Sequence, residues 1–186
     1  MSDHVLHSLY NMYASNKTNY MRIKSNTSTI STMPGGSSIS IKSSSFADGQ
    51  HIPTEYTMYG SNTKPDLSWS NILPDAKSLL LLVYDPDAVQ VAGKIWIHWF
   101  VYNISPRTTR LDGEYTEGLN SFNKHGYGGP KPPAGSGTHR YIFELYALTD
   151  DVGFDQSTMY SYDQIVDRLK GKVISHASIT GLYSKD

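Results

Sequence analysis

Residues Ser78 to Asp85 read SLLLLVYD, a run of large apolar side chains closed at each end by a polar residue. A run this short and unbroken fits a β-strand covered on both faces, because a half-buried strand alternates and an amphipathic helix repeats every three to four residues. Such a strand demands a layer of structure on either side of its sheet. The apolar part, Leu79 to Tyr84, is the longest in the chain, and it falls far short of the ~20 residues of a membrane-spanning helix.

Other strand signals begin at Ser38. SISIKS alternates strictly and places Ile39 and Ile41 on one side. IWIHWFVYNI (Ile95 to Ile104) and HRYIFELYAL (His139 to Leu148) are dense in aromatic and β-branched residues, which suit pleated, packed surfaces. Clusters of Gly, Pro, Asn and Asp lie between these runs at turn spacing. One helix is expected late in the chain. Ser161 with Gln164 forms a capping box, Ile165, Val166 and Leu169 supply an apolar face, and Gly171 follows. A helical turn over Val173 to Ala177 and a closing strand at SITGLY complete the reading. The fold class is therefore mainly β, an antiparallel β-sandwich with a few short helices, chiefly C-terminal.

The chain divides by composition. Residues 1–37 are rich in Ser, Thr and Asn and read as a polar extension, partly flexible or packed on the surface. Within it Val5, Leu6, Leu9, Tyr10 and Tyr13 could share one face of a short helix. Residues 38–186 read as the sandwich domain. With 16 Lys and Arg against 17 Asp and Glu, the chain has no basic footprint for nucleic acid. It has no cysteine, hence no disulfide framework, thiol nucleophile or cysteine-bound zinc. The N-terminus has no basic start followed by an apolar segment, so a cytoplasmic protein without stable membrane insertion is expected.

Polar residues then stand out against the strands. Asp85 and Asp87 flank Pro86 at the end of the leucine run and, in an extended chain, face one way. By the same alternation His98 shares a face with Trp96, Phe100 and Tyr102, and His139 with Tyr141 and Phe143. Between these strands Ser105 to Thr138 runs for 34 residues with no sustained period, far longer than an ordinary connection. Taken singly, the aspartates are a turn and the histidines satisfied core residues. Converging, they form the wall of a site. A hydrolase would need a supported nucleophile, and Ser136 reads as a turn residue in a Gly-rich loop. A metal site could use two histidines and two aspartates, but no zinc-protease spacing is present.

DPDA, WIHW, GGPKPPAGSGTHRYIFELYAL and the ending GKVISHASITGLY together resemble the phosphatidylethanolamine-binding protein family, which includes the Raf kinase inhibitor proteins. The resemblance runs from about Ser38 to Tyr183 and is nearest to the bacterial-type branch. It implies an antiparallel sandwich with a small anion pocket for phosphate-type groups such as the phosphoethanolamine head group. By position it implies that Asp85, Asp87, Trp96, His98, Gly129, Pro133, His139 and Tyr141 line that pocket. A non-catalytic binding protein without cofactor or metal follows, one that could regulate a protein partner. The alternative is an inhibitor of a kinase or serine protease acting through a surface loop. Two departures fall at the pocket rim: Val89 replaces the proline usual after DPDA, and Lys131 stands where bacterial-type relatives often have cysteine. On chemical grounds the carboxylates should raise the imidazole pKa values, the ligand's ammonium should face the aspartates or Trp96, and binding should strengthen in mild acid.

Overall fold

The computed structural model describes residues 39–186. The short helix expected near the N-terminus lies outside the described residues. Five antiparallel strands form the main sheet in the order β5-β4-β3-β6-β7. They are β3 (Ser78–Asp85), β4 (Trp96–Ile104), β5 (Thr116–Glu117), β6 (His139–Leu148) and β7 (Val173–Tyr183). A second, two-stranded sheet pairs β1 (Ser40–Ser43) with β2 (Leu67–Ser70), with Ile41 opposite Trp69.

β3 is central, bordered by β4 and β6, and all eight of its residues are buried. Its odd positions, Leu79, Leu81 and Val83, pack with Ile41, Leu67 and Trp69 of the small sheet and with Ile39 just before it. Its even positions, Leu80, Leu82 and Tyr84, pack with Tyr162, Ile165, Val166 and Leu169 of helix α2 (Tyr162–Leu169). A strand with a layer on both faces has no side to leave polar, which accounts for the unbroken leucines. The mainly β, antiparallel reading holds. Of the two α-helices among the described residues, one is C-terminal and the other, α1 (Val89–Ala92), follows β3 directly.

α2 begins where expected. Ser161 Oγ accepts from the Gln164 amide, and the Gln164 side chain accepts from the Ser161 amide, so the capping box is complete. The helical turn expected over Val173 to Ala177 is replaced by strand. β7 runs unbroken over 11 residues and pairs with the whole of β6, from Leu148 opposite Val173 to His139 opposite Tyr183. That ladder satisfies the backbone groups a lone helical turn would leave open.

Strict alternation also fails in β4, where one of two register shifts against β3 falls at His98. Val83 pairs with Trp99 and Tyr84 with Ile97, so His98 is an extra residue with no opposite number on β3. This is a bulge. Phe100 and Tyr102 consequently turn toward the helix layer, while His98 stays on the other side against Tyr141. The expected common face of His98 with Phe100 and Tyr102 is thus broken, but its company with Trp96 survives in the cavity described next.

Candidate functional site

The bulge, the end of β3 and the start of β6 meet at one edge of the sheet around a cavity of about 190 Å³. Six of the eight anticipated residues line it: Asp85, Trp96, His98, Pro133, His139 and Tyr141. Asp87 and Gly129 do not. Six others join the lining: Ala88, Val91 and Ala92 from the α1 region, and Phe122, Lys131 and Pro132 from the long loop. An aromatic and a lysine within a loop of glycines and prolines were the only sequence signals for the last group.

Asp85 answers two needs at once. Its Oδ1 accepts from the amides of Asp87 and Ala88 at 2.8 and 3.1 Å, which turns the chain into α1. Its Oδ2 lies 2.6 Å from His139 Nδ1, and both side chains are almost wholly buried. Burial raises the Asp85 pKa against the lowering effect of His139 and the two amides.

His139 Nε2 is 3.0 Å from Ser136 Oγ, so Ser136, His139 and Asp85 are connected in the order of a hydrolytic triad. The protons run the wrong way for that role. Ser136 must donate its one hydrogen to the Pro133 carbonyl at 2.7 Å, so Nε2 is the donor to Ser136 Oγ. His139 therefore carries its Nε2 hydrogen and shares a second proton with Asp85. The pair is neutral as a unit and holds no free basic nitrogen for the serine. The sequence-based reading of Ser136 as a turn residue stands.

Asp87 points away to Arg140, which the sequence reading passed over although it directly follows His139. The Arg140 amide and Nε both donate to Asp87 Oδ2 at 2.9 Å, and Nη2 donates to Oδ1 at 2.7 Å. Partial burial works against the charged carboxylate, but Arg140 outweighs it and lowers the Asp87 pKa. Gly129 is a packing residue. Its amide donates to Asn62 Oδ1 at 2.8 Å, and a Cβ there would lie 2.3 Å from the Tyr56 carbonyl oxygen.

His98 is 3% exposed and sits edge-on to the rings of Tyr141 and Phe122. Its Nδ1 is 2.6 Å from the Gly128 carbonyl. A carbonyl only accepts, so Nδ1 carries the hydrogen. Burial pushes the imidazole pKa down to about 4, despite the help of the Gly128 and Gly129 carbonyls. The expectation that His98 charges in mild acid is thereby overturned: among the described residues no carboxylate contacts the ring, and desolvation decides. The ammonium subsite expected at the aspartates is also taken, because His139 and Arg140 already hold them. Lys94 lies over the Trp96 ring at 4.9 Å. Lys131, exposed at the rim, makes no ion pair among the described residues. The Trp96 indole N–H and Tyr141 hydroxyl are buried without hydrogen-bond partners among the described residues. Among those residues, no group of three or more His, Asp or Glu side chains is arranged to hold a metal ion, and no helix is long and apolar enough to cross a membrane.

Comparison with known proteins places this geometry in context. A family model described as phosphatidylethanolamine-binding protein matches residues 42–184. A UPF0098 protein of Methanothermobacter thermautotrophicus is 38% identical over 157 residues, spanning 79% of this chain and 99% of its own. Among solved structures, a phosphatidylethanolamine-binding protein homologue from Chlamydia trachomatis superposes with a TM-score of 0.71 at 35% identity, covering 80% of this chain and 99% of that one. E. coli YbcL, described as a member of the mammalian family, superposes at 0.72 with 29% identity, covering 81% of this chain and all of that one.

Proposed function

Since the chain belongs to the phosphatidylethanolamine-binding protein family, we propose that it is a non-catalytic binding protein whose pocket accepts phosphate-type anions, the phosphoethanolamine head group among them. Family membership supports the binding role. One observation carries the anion reading: both aspartates of the DPD segment are already neutralised, Asp85 by His139 and Asp87 by Arg140. Without those partners two carboxylates would repel a phosphate. With them, the uncompensated charge on the lining is the ammonium of Lys131.

The buried hydrogens on Trp96 Nε1 and Tyr141 Oη support the same reading, since orphaned donors are costly and a polar ligand or water relieves them. The rings of Trp96, Phe122 and Tyr141 with Pro132 and Pro133 narrow the cavity to the size of a head group rather than an acyl chain. The Nε2 hydrogen on His139 speaks against general-base activation of Ser136 by that imidazole.

Titration of the protein with phosphoethanolamine and phosphotyrosine, followed by amide chemical shifts, tests the proposal. Shifts should concentrate on residues 85–98 and 128–141 and vanish in His98→Ala. Binding that persists unchanged in the variant, or shifts confined to another face, would move the site elsewhere.

A further inference from the structure

Resting on the anion reading above, we infer that the pocket selects a phosphate monoester in its singly protonated form, with Lys131 supplying the charge and His98 Nε2 accepting the ligand's own P–OH hydrogen. The fold has set the two imidazoles in opposite roles. His139 is a donor at both nitrogens or shares its second proton with Asp85, because the Ser136 hydrogen is spent on the Pro133 carbonyl. His98 is the reverse. Its Nδ1 hydrogen is spent on the Gly128 carbonyl, with the Gly129 carbonyl also acting on the ring, and the neutral imidazole keeps its lone pair on Nε2. His98 lines the cavity, so what it offers a ligand there is a lone pair.

The surrounding charges keep it so. The titratable groups facing His98 are Asp85 from the end of β3, His139 and Tyr141 from β6, and Lys131 from the loop. Asp85 and His139 cancel as a pair. The Tyr141 hydroxyl is pushed far above its ordinary range by burial and keeps its hydrogen. Helix α1 faces the cavity with Val91 and Ala92, which bear no charge. The sum is one positive charge at the rim, the Trp96 and Tyr141 donors, and one acceptor inside. A dianion brings two negative charges and no hydrogen to meet that acceptor. A diester brings the matching charge but no hydrogen either. A monoester monoanion brings both, and an unmet acceptor or a surplus buried charge is what discriminates between such ligands.

The consequence is a pH dependence that belongs to the ligand. Phosphate monoesters lose their second proton near pH 6, within the range where His98 stays neutral. Methyl phosphate and dimethyl phosphate, each titrated into the full chain at pH 5.0 and pH 7.5, separate the possibilities. Methyl phosphate should bind roughly tenfold or more tightly at the lower pH, as its monoanion fills. Dimethyl phosphate should bind more weakly at pH 5.0 and hold the same affinity at both values. Lys131→Met, an exposed change, should weaken both by about tenfold, the worth of one charge-assisted contact. Nitrogen NMR of the His98 ring should report neutral, Nδ1-protonated imidazole throughout. Equal, pH-independent binding of the two esters, tighter methyl phosphate at pH 7.5, an undiminished Lys131→Met or a charged His98 would each overturn this inference and leave the anion pocket standing. Absence of binding by either ester at both pH values would instead overturn the pocket's proposed function.

Discussion

An imidazole that gives its Nδ1 hydrogen to a carbonyl 2.6 Å away and loses almost all contact with water resists a second proton. For His98 the effect extends to stability. Its pKa falls from the ordinary 6.5 to about 4 on folding. Between those values the unfolded chain takes up a proton that the folded chain refuses, so stability falls as pH drops through that window. At about 1.4 kcal/mol per pKa unit the loss is roughly 3 kcal/mol. Asp85, raised by burial, works in the opposite sense near the acid end, and Asp87, held down by Arg140, loses its contribution only below the ordinary carboxylate range. Urea unfolding at pH 6.5 and 4.5 should therefore show a steep loss in the wild type and a clearly shallower one in His98→Gln. Parallel losses would remove His98 as the cause. At the same scale, Gly129→Ala places a methyl 2.3 Å from the Tyr56 carbonyl oxygen. That atom is backbone and cannot swing away, so about 2 kcal/mol of stability should be lost. A thermal midpoint equal to wild type would contradict the packing role. Six of the eight residues picked from the chain line the cavity, whereas Arg140 was not picked; protonation was not legible, because a histidine beside acids and a histidine against carbonyls read alike in a sequence.

Elements show how far local pattern reaches. The capping box at Ser161 and Gln164 involves neighbours three residues apart, and it was readable because nothing distant enters it. Ser161→Ala should cost about 1 kcal/mol, measurable as a shift in the urea midpoint with an unchanged slope; a neutral substitution would mean that α2 is held by its apolar face alone. The DPDA segment was half legible. Pro86 and two acids announce a turn, but the short helix α1 and its left-handed cap at Gly93 depend on Asp85 taking two amide hydrogens. Two elements misled pattern reading for one reason. The bulge at His98 and the full length of β7 are set by partner strands, β3 and β6 respectively. An extra residue in one strand is visible only when the other is laid beside it.

The described residues form three layers: the small sheet, the main sheet, and the helix. Their stability rests on the central strand that both outer layers share. Leu81 is fully buried between β4 and β6 and faces the small sheet. Leu81→Ala should cost about 2–5 kcal/mol, the range for a leucine removed from a close-packed core; a loss under 1 kcal/mol in denaturant unfolding would mean that the layers can close over the gap. What the sequence by itself determined was this mainly β, antiparallel architecture and six of the groups that line the cavity. Alternation, unbroken apolar runs and turn residues are short-range properties that each segment carries alone. Only the tertiary structure decided the electrostatics. Asp85 meets His139 across 54 residues and Asp87 meets Arg140 across 53, and those contacts convert a pair of acids into neutral framework. Charge and protonation follow from burial and partners, and both come into being when distant strands are brought side by side.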